Sequence, residues 1–96
     1  MKNKIYYSEI QHLLNQVSYE FARTGESGIY CTAYLGSFKV AVGYSGCVDP
    51  ANYSQELGEK YSKERCVKET QDKLWELMGF ALFKDLNKDL FLQSAE

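Results

Sequence analysis

Two runs of alternating side chains, Ile29-Tyr30-Cys31-Thr32-Ala33-Tyr34-Leu35 and Phe38-Lys39-Val40-Ala41-Val42-Gly43-Tyr44, are separated only by Gly36-Ser37. So short a link joins them as an antiparallel hairpin. Glycine first in the pair suits a type II′ turn, which needs a positive φ there. Closing the turn at Leu35 and Phe38 pairs Ala33 with Val40, Cys31 with Val42 and Ile29 with Tyr44. All eight then share one face, the core face, because strand side chains alternate. Tyr30, Thr32, Tyr34, Lys39, Ala41 and Gly43 fall on the other.

The hairpin, 29–35 with 38–44, runs into a corner, Gly43-Tyr44-Ser45-Gly46-Cys47-Val48-Asp49-Pro50-Ala51-Asn52-Tyr53. Two glycines and an Asp-Pro step mark an irregular but structured backbone. Pro50 opens a short turn that leads to a helix cap, for which Asp49, Asn52 and Ser54 are all candidates. Residues 54–78 follow as a long helix. Its charges stand at favourable spacings (Glu56 and Lys60, Glu64 and Lys68, Glu69 and Lys73), as on a solvated face. Gly58, Ser62, Cys66 and Thr70 recur every four residues and make a stripe on which another element can pack closely. Trp75 stands on the opposite side from the Thr70 and Leu77 end of that stripe.

Before the hairpin, Ile10, Leu13, Leu14, Val17 and Phe21 recur at helical spacing, so residues 8–21 read as an amphipathic helix. Ser8 is its cap and Gln11 the reciprocal partner. After the long helix, Gly79 suits a helix-ending position with positive φ. Phe80-Ala81-Leu82-Phe83, bounded by Lys84, is then a third strand or simply more helix; four residues are too few for periodicity to separate the two. The element order taken is α-β-β-α-β, one α+β domain over residues 1–96 with a small antiparallel sheet.

A 45% apolar and 15% aromatic chain has the means to build a core. Its formal charge of −2 is nearly neutral, and residues 1–53 balance at zero. The basic block of a typical nucleic-acid binder is missing, which argues against such a partner. No segment has the pattern of a signal peptide or the length of a membrane span. Three cysteines, at 31, 47 and 66, form no short-spacing pair, as in a cytosolic protein with free thiols.

That inventory also bounds the chemistry. Cys31, Cys47, Cys66 and His12 would make a zinc set in number but not in spacing, so no metal is expected. Cys47 and Ser45 have no base placed beside them, and Gly43 to Gly46 is not a phosphate loop. The chain is therefore read as having no cofactor and as not being an enzyme. Eight tyrosines favour binding, since tyrosine serves both core and contact surface. Tyr30, Tyr34 and Lys39 on the outer sheet face, Asp49 and Tyr53 in the corner, and Trp75 are the candidate protein contacts. The alternative is that the first helix covers the outer face and leaves no patch. Exposed sheet edges and the position of Trp75 also suggest a homodimer.

The ordered set Tyr34-Leu35-Gly36-Ser37-Phe38, Gly43, Ser45, Cys47-Val48-Asp49-Pro50, Tyr53, Leu57-Gly58, Lys73-Leu74-Trp75-Glu76-Leu77 and Gly79-Phe80 resembles a family of small tailed-phage proteins. Gene products of phages N4 and Sf6 typify that family. The resemblance covers roughly residues 30–83. It departs at Gly36-Ser37, where the family more often has Asn-Gly, and in a helix longer between Cys66 and Lys73. The N-terminal helix and the last dozen residues lie outside it. The family's function is unknown, so no catalytic residues carry over. The resemblance implies a phage or prophage accessory protein acting in the cytoplasm of the bacterial host. A host protein is the expected partner, with inhibition of host defence as one form of that role. A nucleic-acid-associated accessory protein and a structural, virion-associated component are the alternatives.

Overall fold

The computed structural model describes residues 3–92. Helix α1 (Tyr7–Leu14) leads into a three-stranded antiparallel meander, β1 (Val17–Thr24), β2 (Gly28–Leu35) and β3 (Phe38–Gly46). A 3₁₀ turn (Pro50–Asn52), the long helix α2 (Gln55–Leu86) and a second 3₁₀ turn (Lys88–Phe91) complete the described residues. The α+β class, the antiparallel sheet and the two helices are as the sequence implies. The third strand, however, precedes the hairpin.

The expected helix 8–21 divides at Asn15. The Tyr6 amide donates to Glu9 Oε2 (2.8 Å), so the reciprocal cap forms two residues earlier than Ser8 and Gln11. Beyond Leu14, Val-Ser-Tyr-Glu-Phe-Ala-Arg-Thr alternates with period two and pairs along its length with β2, from Val17 with Leu35 to Thr24 with Gly28. Val17 and Phe21, four apart, satisfy a helical and a strand pattern alike. The β-branched and aromatic content goes with the strand. Gly25, with φ of 64°, turns the chain between β1 and β2.

The second hairpin closes at Leu35 and Phe38 as expected. Gly36 has φ of 62° and Ser37 is not positive, the type II′ pattern. Past the turn the register slips by one. Tyr34 pairs with Lys39 but Ala33 pairs with Ala41, so Val40 is the extra residue of a bulge. Val40 still points into the core. From there on the parity of β3 is reversed, and Gly43 and Ser45 face inward while Val42 and Tyr44 face out. The expected pairs Ala33–Val40, Cys31–Val42 and Ile29–Tyr44 are replaced by Ala33–Ala41, Cys31–Gly43 and Ile29–Ser45.

That reversal is what lets α2 lie on the sheet. Ser62, Cys66, Thr70 and Leu74 are the buried residues of the helix, so the small-residue stripe is its inner face. A Cβ on Gly43 would run into the Ser62 carbonyl and the Cys66 amide, and one on Gly58 would come within 2.8 Å of Ile29 Cδ1. At Gly43 helix and strand backbones meet so closely that only glycine fits, whereas at Gly58 the neighbour is the tip of a side chain. Cys31, Ala33 and Cys66 form one buried cluster with Val17 and Tyr19 beside it. Ile10, Val40 and Leu74 form another, flanked by Leu13, Trp75 and Met78, which anchors α1.

Ser54 caps α2, its Oγ accepting from the Leu57 amide (3.3 Å). The helix passes through Gly79, which has no positive φ, and includes residues 80–84. One glycine among leucine, methionine and alanine costs a helix about 1 kcal/mol, too little to stop it. No helix among the described residues is long and apolar enough to cross a membrane.

Candidate interaction surface

Helix α2 packs on β2 and β3, and α1 packs on α2, so both helices lie on one side of the sheet. No described element lies across the other side. Strand pairing sets its composition: Tyr30, Thr32 and Tyr34 run along the central strand, with Ser18, Glu20 and Ala22 on β1 and Lys39, Val42 and Tyr44 on β3. The Tyr30 and Tyr44 rings are 4.8 Å apart at 47°, and each is close to half exposed, at 42% and 45%. The Tyr44 ring lies over Gly28 and Gly46, where a Cβ on either would meet it within 3 Å. Two glycines thus give this tyrosine a bed on the strand ends. Arg65 Nη1 donates to the Tyr44 carbonyl (2.7 Å) and ties the same residue to α2.

The face is aromatic at its centre and carries Glu20 and Lys39 on opposite flanks. Such a surface presents apolar area at little cost in side-chain entropy and no net charge. It lacks the lysines and arginines that accompany base-stacking sheets.

Of the six residues expected from sequence, Tyr30, Tyr34 and Lys39 come together here. Asp49 does not; its Oδ1 accepts from the Ala51 amide (3.0 Å) and caps the 3₁₀ turn. Tyr53 lies at the corner with its ring 4.3 Å from the Arg23 guanidinium. Its hydroxyl is buried and has no hydrogen-bond partner among the described residues, beside a small cavity of about 190 Å³ that Ser45, Cys47 and Tyr61 also line. Trp75 packs against the Ile10, Val40 and Leu74 cluster. Tyr44 is the residue that sequence reasoning missed, because the unslipped register put it in the core. Gly43 carried the signal, since a glycine within a strand marks a bulge or a close approach.

The thiols have structural surroundings. Burial, and secondarily the neighbouring Cys66, push the Cys31 thiol from 9.0 up to about 12, so it stays protonated at neutral pH. Cys66 Sγ lies 3.8 Å from the Ala41 carbonyl and 3.9 Å from Thr70 Oγ1. Cys47 Sγ donates to the Asp49 carbonyl (3.1 Å) within the corner. Among the described residues no group of three or more His, Cys, Asp or Glu is placed to hold a metal ion.

The chain matches the phage protein (N4 Gp49/phage Sf6 gene 66) family over residues 3–86. The match takes in α1 and β1 as well as the motifs from Tyr34 to Phe80, a wider span than those motifs alone suggest. No curated protein and no solved structure matches the chain.

Proposed function

The chain belongs to the phage protein (N4 Gp49/phage Sf6 gene 66) family, and from that premise we propose that it is a phage- or prophage-encoded accessory protein that binds a host protein. The observation that carries this reading is the uncovered tyrosine face of the sheet. Tyr30, Tyr34 and Tyr44 offer a rigid, near-neutral aromatic patch of the kind that forms binding hot spots. Such a face acts by occlusion, one chain covering one target surface. Inhibition of a host defence factor or another host enzyme is the form this takes in the bacterial cytoplasm. Three free thiols suit that compartment.

A tagged chain recovered from infected or lysogenic cells, with mass spectrometry of what accompanies it, tests the proposal. One host protein at equal stoichiometry is the expected result, lost on changing Tyr30 and Tyr34 together to Asp while the far-ultraviolet circular dichroism is unchanged. Recovery of nucleic acid alone, of virion proteins, or of the same partner by the double variant contradicts it.

A further inference from the structure

We propose that the overhanging end of α2 is a self-association surface whose occupant is the same segment of a second copy of this chain. At 1.5 Å per residue the 32-residue helix is about 48 Å long, whereas strands of eight or nine residues span about 30 Å. The last inward contacts with the body are those of Leu74, Trp75 and Met78. Beyond them the helix projects, and the molecule is 59 Å in its longest dimension.

Where it leaves the body the helix is apolar on every side. Leu77-Met78-Gly79-Phe80-Ala81-Leu82-Phe83 makes about two turns without one polar side chain, and a helix apolar all round belongs in an interior. The described residues cover it only in part. The second 3₁₀ turn folds Phe91 against Phe80 and Phe83, with ring centroids 5.7 and 6.1 Å apart. Phe80 remains 58% exposed, Leu90 70% and Leu92 73%.

Area and charge both favour a second copy. Taking roughly 200 Å² for a large apolar side chain, Leu77, Phe80, Phe83, Leu86, Leu90 and Leu92 leave about 600–700 Å² open. Specific interfaces begin at roughly 600 Å² from each partner, so two such ends reach the lower end of that range. The charges on the segment are Lys84 and Lys88 against Asp85 and Asp89, which sum to zero. In a two-fold arrangement each residue meets the partner's equivalent set, so this balance permits self-contact without repulsion.

Sedimentation of the full chain across a wide concentration range tests the proposal. The wild type is expected at twice the chain mass. Phe80→Glu, and separately Leu90→Glu outside the helix, should each raise the dissociation constant by about tenfold or more with the helical circular dichroism retained. Tyr34→Glu on the open sheet face should leave the mass unchanged. A wild-type monomer throughout, a dimer that neither Glu variant weakens, or one that Tyr34→Glu dissociates would overturn the proposal.

Discussion

A methyl group at position 43 would meet the backbone of Ser62 and Cys66, which cannot yield without moving α2 off the sheet. Gly43→Ala is therefore expected to cost at least about 2 kcal/mol, read from urea denaturation. Ser62→Leu fills the same contact from the helix side, where Ser62 is fully buried, and should cost about 1–3 kcal/mol. If either variant melts with the wild type, the packing of α2 described above is wrong. The thiols give a second residue-scale expectation. Cys31 and Cys66 are inaccessible and Cys47 is half-buried, so a thiol reagent should label only Cys47 in the native protein and all three in denaturant. The raised Cys31 thiol also has a signed consequence. The fold holds that proton more tightly than the unfolded chain, so this contribution is complete below pH about 9 and is lost as pH rises from 9 towards 12. Stability should fall less steeply over that range in Cys31→Ala than in the wild type.

At the scale of elements, what the sequence makes legible is whatever one local signal decides. Gly36-Ser37 specifies the turn of the β2–β3 hairpin, and the four-residue recurrence of Gly58, Ser62, Cys66 and Thr70 identifies the inner face of α2. The corner is equally readable, with Pro50 opening its turn and Ser54 capping the helix. Elsewhere two signals compete. Val17 and Phe21 fit either period, and only pairing with β2 selects the strand. The bulge at Val40 adds one residue that only Gly43, three positions on, signals in the sequence, and it carries Tyr44 from core to surface. Gly79 fits a helix end in sequence yet sits inside one, with open space where its Cβ would be. Gly79→Ala should therefore stabilise the protein by about 0.5–1 kcal/mol. A loss of stability would mean that the helix ends there after all.

Across the whole molecule the two helices occupy one side of the sheet, and among the described residues the tyrosine face is left open and the projecting end of α2 is only partly covered. They differ in character. The first is aromatic, with hydroxyls and one charge of each sign; the second is apolar from Leu77 to Phe83 and at Leu86, Leu90 and Leu92, with two charges of each sign between them. A tyrosine surface suits a partner met as a folded protein, and a mostly apolar surface suits permanent burial between copies. The site was half legible for this reason: Tyr30, Tyr34 and Lys39 follow from strand alternation alone, while Tyr44 depends on the bulge and Trp75 on how α1 packs. In the function proposed above, the tyrosine face is what meets the host target. Tyrosine-specific chemical footprinting, comparing the purified chain with the chain in lysate from infected cells, is the decisive measurement. Tyr30 and Tyr44 are expected to become protected in the lysate while Tyr61, exposed on α2, is modified as before. Equal modification of Tyr30 and Tyr44 in both settings would contradict it.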